Sequence, residues 1–395
     1  MGEHVGVRVR ACRLWRGMTQ QQLADLAGWT KSAVSMLETG ARTIDSRQRL
    51  AQLADALRVS PADLTGQPYP LDAPGLAEAQ VNVPAVELAL MEYRIGDSCE
   101  NEPRSLEELE AQVRGPLLDA LHRADDAARL AMLPGLIVEL QAYGRDERAL
   151  RLLSRTCAHA TSALRYVGQV PLAWIAAERC AEAAAIVGDP VVVAASEFTR
   201  AHARPPAARA LARTAGLADR MSDDLAAAGG RWAQEVHGML RLTAALAAQV
   251  CGNTAEAAAQ AAEAARLAEL HGERPDAWEN FGPANVGVWR TLLAVEAGEP
   301  DQALQLAAAV DVNSLRRTRR AGLLLETARA HYQLGRAHYA RAVAALRQAE
   351  QLAPVRVRTS LWARDMVEVM LTQSRREAGS RELRGLAYRM GLDPG

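Results

Sequence analysis

The run TQQQLADLAGWTKSAVSMLETGART, residues 19–43, constrains the fold more than any other part of this 395-residue chain. Thr19 followed three residues later by Gln22 is a capping box, in which the two side chains satisfy each other's backbone donors at a helix start. Leu23, Leu26 and Ala27 then share one helical face. Gly28 stands where a tight turn needs a residue tolerant of positive φ. Thr30 is placed to cap the next helix, KSAVSMLET, whose inward face is Val34 and Leu37 with Ala33 beside them. Gly40 stops it. Upstream, residues 5–16 read as a first helix ended by Gly17. Downstream, Leu50, Leu53, Ala54 and Leu57 mark a fourth, and Ser60-Pro61-Ala-Asp63 opens a last short turn. Five short helices with a tight turn after the second describe a helix-turn-helix unit over residues 1–66.

The run resembles the phage-repressor (xenobiotic-response-element, XRE) helix-turn-helix family. That pattern is T-Q-x-x-L-A-x-x-A-G-[apolar]-[ST]-x-x-x-[apolar]-S-x-x-E-x-G-x-R. It is met at Thr19, Gln20, Leu23, Ala24, Ala27, Gly28, Thr30, Val34, Ser35, Glu38, Gly40 and Arg42. Trp29 departs from it, standing where a smaller aliphatic residue is usual, and is expected to pack between helices. The likeness covers about the first 65 residues and implies double-stranded DNA as partner, with helix 31–39 in the major groove. Lys31 and Ser32 would then face base edges, with Thr30 capping the helix beside them and a guanine opposite Lys31. Ser35 and Met36 lie a turn further on, Met36 against a thymine methyl. Gln20, with the free amides at the start of the second helix, would hold a phosphate. Arg42, Thr43 and Arg13 would reach the backbone on either side.

Charge supports this weakly. Residues 1–66 hold nine Arg or Lys against six Asp or Glu, although the whole chain carries a net charge of -1. Of its 46 basic residues only Lys31 is Lys, and it falls at the first reading position of the third helix. The other Arg residues read as compositional drift and solvated faces. Cys12, Cys99, Cys157, Cys180 and Cys251 form no C-x-x-C pair and have apolar neighbours, so they read as small core residues in a reducing compartment, with no metal site and no cofactor implied. No signal-peptide stretch or membrane-spanning run is present, and a cytoplasmic protein is expected.

The stretch TGQPYPLDAPGLAEAQVNVP (65–84) reads as a semi-rigid linker, taken as residues 67–84. From 85 to 395 only helical periodicity appears, so the chain is expected to be all-α. About a dozen helices are separated by turns of recurring chemistry, Gly188-Asp189-Pro190, Gly252-Asn253-Thr254, Gly298-Glu299-Pro300 and Gly335-Arg336. The last two lie 37 residues apart, close to the repeat of helix-turn-helix solenoids. Ala occupies the positions where paired helices approach closely. The segment loosely resembles the tetratricopeptide repeat. The whole plan is similar to a class of actinobacterial regulators and to the peptide-responsive regulators of other Gram-positive bacteria. That resemblance implies a homodimer joined through the helical body, and control by a small molecule or peptide bound there. A dimer predicts a two-fold symmetric operator.

One stretch breaks the monotony. Residues 271–290 gather Trp278, Asn280, Phe281, Asn285, Trp289 and Arg290, although Phe occurs only twice in the chain. Aromatics with a few polar groups shape a ligand pocket, and Asn can grip a peptide backbone. The same residues equally suit a long loop whose aromatics plug the core. Arg241, Arg319, Arg320 and Glu326 are nearby candidates to line a groove. None of the nucleophile-elbow, dinucleotide, P-loop or zincin motifs occurs, so no enzyme is expected. The alternative to a DNA-binding regulator is a scaffold whose head docks a protein.

Overall fold

The computed structural model describes residues 4–67, 77–204, 208–374 and 381–392, and among them there is no strand. The head consists of α1 (Val5–Trp15), α2 (Gln20–Ala27), α3 (Lys31–Glu38), α4 (Arg47–Leu57) and α5 (Pro61–Thr65). Its helices start and stop at the residues that the sequence nominates. Thr19 and Gln22 close the capping box of α2, Thr30 accepts from the amide of Ala33, and Ser60 and Asp63 box α5. Gly28 takes φ 70° and ψ 31°, the left-handed conformation that lets the chain turn from α2 into α3.

The head's apolar core gathers Val5, Val9, Leu23, Val34, Leu37, Leu50, Leu53 and Leu57, and admits one residue from far away, Trp362. Gly6 makes the contact of α1 with α3 close. A Cβ at this position would sit 1.8 Å from the carbonyl oxygen of Leu37, a backbone atom that cannot swing aside. Gly6→Ala is therefore expected to destabilise the protein by about 1–3 kcal/mol through overpacking. Urea denaturation of the full chain reads the effect, and parental stability in the variant would refute this account of the contact.

The body begins with α6 (Ala77–Gln80), α7 (Val83–Met91), α8 (Leu106–Gln112) and α9 (Leu118–Arg123), the last two joined by a π-helical turn. It continues through α10 (Asp126–Ala142), α11 (Glu147–Tyr166), α12 (Val170–Val187), α13 (Pro190–Ala203), α14 (Ala208–Ala215), α15 (Leu217–Arg220), α16 (Ser222–Ala228), α17 (Gly230–Val250) and α18 (Thr254–His271). A short 3-10 turn, Trp278–Asn280, leads to α19 (Pro283–Ala297), α20 (Pro300–Ala308), α21 (Arg317–Gln333), α22 (Tyr339–Leu352), α23 (Pro354–Arg358), α24 (Leu361–Ser374) and α25 (Arg381–Arg389). Consecutive long helices pack as pairs, α11 with α12, α17 with α18 and α21 with α22.

The nominated turns behave as their chemistry requires. Gly188 and Gly298 end helices in the left-handed region, and Asp189 and Asn253 cap the helices that follow. The stretch expected to be linker differs. Residues 68–76 lie outside the described residues, but the chain is helical over Ala77–Gln80 and again from Val83. Pro84 falls in the first turn of α7, where its missing N–H breaks no helical bond. Val83, Val86, Ala89 and Leu90 bury the inner face of that helix. The cysteines also divide: Cys157 and Cys180 are buried, Cys12 and Cys99 half-buried, and Cys251 exposed. No helix among the described residues is long and apolar enough to cross a membrane.

Two features were not legible in the sequence. The solenoid curves until its ends touch: α9 packs on α21, Arg356 of α23 reaches Asp126 at 3.0 Å, and the Thr359 hydroxyl donates to the carbonyl of Tyr166 at 2.5 Å. The head is also bolted to the body. Asp365 of α24 accepts hydrogen bonds from the amides of Val5 (3.3 Å) and Ile44 (3.0 Å), while Glu296 of α19 accepts from the amide and guanidinium of Arg47.

Candidate nucleic-acid interface

The start of α3 stands open. Lys31 and Ser32 are exposed, Met36 keeps 43% of its surface, and Ser35 is half-buried one turn along. Val34, Leu37 and Glu38 fill the opposite side, so the helix is held by its inner face and offers the outer one. Thr30 spends its hydroxyl on the amide of Ala33, which fixes the helix start at Lys31.

Three residues expected on phosphates are engaged inside the protein. Arg13 is buried and grips Glu38 with two parallel bonds of 2.6 and 2.9 Å, with a third to the carbonyl of Met18. Hydrogen bonding to Glu38 holds the Arg13 guanidinium above its ordinary pKa. Burial works against the ionised form of Glu38, but Arg13 and Gln20 hold its carboxyl below the ordinary value. Gln20 donates to the same carboxylate at 2.9 Å. Thus Arg13, Gln20 and Glu38 form one internal bolt joining α1, α2 and α3. Thr43 is buried at the seam with the body, where it lines a small cavity together with Tyr332. Arg42 is half-buried and pairs with Asp45 at 2.8 Å, an acid it shares with Arg49. Trp29 packs between helices as expected, its indole N–H donating to Gln52 and Arg49 lying over its ring.

Residues 4–65 match the model of a helix-turn-helix domain family. This part of the chain is a helix-turn-helix domain. No curated protein matches the chain. Among solved structures, Bacillus thuringiensis PlcR in complex with the peptide PapR7 and DNA is similar at 13% identity over 96% of this chain and 100% of that one, with a TM-score of 0.23.

Behind the helix-turn-helix domain, the aromatic stretch is drawn into the body. Phe281 is 2% exposed and lies against Gly238, where a Cβ would meet the ring at 2.0 Å. Trp289 is buried, and Trp278 is half-buried with its ring edge-on to Phe198 at 5.0 Å. Asn280 accepts from the amide of Arg316 at 2.7 Å and donates to the carbonyl of Ser314 at 3.4 Å. Asn285 donates to the carbonyl of Glu279 at 3.2 Å. The two Asn side chains therefore staple the loop to its neighbours, and Arg290 alone of the six is exposed. Of the nearby candidates, Arg241 pairs with Asp219, Arg319 with Glu279, and Glu326 with Arg329.

Proposed function

We propose that this protein is a sequence-specific, DNA-binding transcription regulator that works in the cytoplasm without catalytic activity. In this reading it acts as a homodimer on a two-fold symmetric operator, through an XRE-type domain. Helix α3 enters the major groove with Lys31 and Ser32 on base edges, and with Ser35 and Met36 a turn deeper. The observation that carries the reading is the open outer face of α3 in a helix-turn-helix domain whose inner face is fully packed. Phosphate contacts then fall to the amides at the start of α2 and to Arg42, which can exchange Asp45 for a phosphate. A small molecule or peptide held by the helical body sets the activity. The seam supports such control, because the chain leaving α3 is held by the body at Thr43, Ile44 and Arg47.

Unbiased selection of DNA sites by the full-length protein tests the proposal. Lys31→Ala is expected to lose about 1–3 kcal/mol of affinity and its selectivity at one base per half-site. Enrichment of no sequence, with weak binding at physiological salt, would leave the domain as a protein-docking module.

A further inference from the structure

Helix α21 presents two stripes of different use. Glu326 and Arg329 hold the seam, where Arg329 also bonds Glu296 and the carbonyl of Asp45. A second stripe, Arg320, Leu323, Leu324, Thr327 and His331, recurs at the three- and four-residue steps that share a helix face. It floors an open groove of 510 Å³ between α20 and α22. That volume falls in the range of about 300–1,000 Å³ usual for small-ligand sites. Leu304, Ala307 and Ala308 of α20 form one wall, and Gln348 and Leu352 of α22 the other. The groove stays open because α20 is nine residues long and ends in alanines, whereas α21 beneath it runs for 17.

The groove is apolar along its length and charged at one end. Leu304, Leu324 and Leu352 are half-buried along it, and Val312 at its rim keeps 39% of its surface. Thr327 spends its hydroxyl on the carbonyl of Leu323. His331 is stacked on His338, their Nδ1 atoms meeting at 3.4 Å, and marks the far end, about 16 Å from Arg320 along the helix axis. Arg320 is different. It is exposed, and among the described residues it has neither a carboxylate nor a carbonyl partner. Its neighbours are engaged: Arg317 donates to the carbonyls of Gln351 and Leu352, and Arg319 pairs with Glu279. Asp311, beside Val312, is turned to the Ser314 hydroxyl and the Asn313 amide. One uncompensated guanidinium therefore stands at the mouth of an apolar groove.

We propose that this groove binds one free, single-tailed amphiphile, its carboxylate on Arg320 and its apolar tail laid along Leu324 and Leu304 toward His331. The planar fork of arginine donates paired hydrogen bonds to a carboxylate and so orients the ligand. Affinity comes from the tail, which covers apolar surface that water otherwise meets. The length between Arg320 and His331 suits an extended acyl chain of medium length. The inference deepens the proposed ligand control by naming the ligand's chemical class, and so rests on that reading. Because one helix floors the groove and holds the head, a ligand that fixes α21 bears on the seam through Arg329.

Calorimetry on the full-length protein without DNA tests the site separately from operator binding. The probes are decanoate below its micellar concentration, decanol and acetate. Decanoate is expected to bind once per chain and to raise the melting temperature. Decanol, which keeps the tail and lacks the charge, should bind roughly tenfold more weakly, and acetate should not bind. Arg320→Gln should weaken decanoate binding roughly tenfold and leave decanol unchanged, a split that a merely structural arginine would not give. Ala308→Trp fills the groove from an exposed position, so it should abolish binding of both while the ligand-free protein melts as the parent does. No decanoate binding by the parent, equal affinity for decanol, or undiminished binding in Ala308→Trp overturns the proposal. A parental dimer that Ala308→Trp converts to monomer in sedimentation overturns it too, since a second copy would then cover the groove. Decanoate binding that leaves the affinity for the selected DNA site unchanged supports the site and refutes the ligand control. Loss of sequence selection with Lys31→Ala, measured separately, bears only on the DNA reading.

Discussion

Glu296→Ala is expected to be the most damaging single change at the seam, costing about 3–5 kcal/mol. Glu296 is buried, and its carboxylate accepts from the amide of Arg47 at 2.7 Å, the Arg47 guanidinium at 2.5 Å and the Arg329 guanidinium at 2.7 Å. Burial works against its ionised form, but the two arginines hold its carboxyl below the ordinary value. Arg329 bonds Glu326 and the carbonyl of Asp45 as well, and lies 4.4 Å over the ring of Trp362, which Arg47 also faces at 5.2 Å. Removing the shared carboxylate leaves two guanidiniums beside one indole, the buried Arg329 with Glu326 as its one carboxylate and, among the described residues, the half-buried Arg47 with none. Because Trp362 belongs to the core of the helix-turn-helix domain, the loss should spread into that domain. Hydrogen exchange checks this directly. Faster exchange in α4 and the Arg42–Ser46 loop is expected, with α11 and α12 unchanged. Parental protection throughout would show that the cluster does not hold the domain in place.

What the sequence discloses here is what is local. Thr19 with Gln22, Thr30 with the amide of Ala33, and Ser60 with Asp63 act within three residues, so pattern alone places them. Gly28 and Gly188 are legible for the same reason. The sequence points Arg13 and Gln20 toward DNA because the partner they hold in the fold, Glu38, lies 25 and 18 positions away, and nothing in the spacing separates a buried arginine from one that meets phosphate. The motif's fixed Gln and Glu did hold a clue, since an acid on the inner side of a reading helix cannot face a polyanion. The seam was beyond reach. Its bonds join residues 249 and 360 positions apart, and Asp365, Glu296 and Trp362 look like ordinary members of amphipathic helices. The aromatic stretch left two readings open because a pocket and a plug need the same residue types.

Acidity should set how firmly the domain is held, through two carboxylates of opposite sign. Asp365 is 3% exposed, and its carboxylate accepts from Val5 and Ile44 without any ion-pair partner among the described residues. Burial pushes its carboxyl up to about 7, with Glu368 adding to the rise, while the two amides and Arg8 oppose it. A carboxyl whose folded pKa is raised stabilises fully below its unfolded value near 3.9, and loses that contribution as pH climbs through 7. The loss amounts to about 4 kcal/mol between pH 4 and pH 8. Glu296, held below its ordinary value, behaves oppositely and stabilises above its unfolded pKa, losing this as the medium becomes acidic. The seam should therefore be firmest near pH 4 to 5 and loosen toward neutrality. Asp365→Asn offers one acceptor oxygen where the carboxylate offers two, so it loses one bond at every pH, at about 1 kcal/mol. It has no proton to release, so its profile should be flat where that of the parent falls. Urea midpoints of both proteins from pH 5 to 8 decide the matter, and the slope, rather than the level, is the test. Parallel profiles would mean that Asp365 is already ionised in the folded protein at pH 5. The loop it holds is the one that leaves α3, so the parent's affinity for its selected DNA site should share this dependence, and the Asn variant's should not.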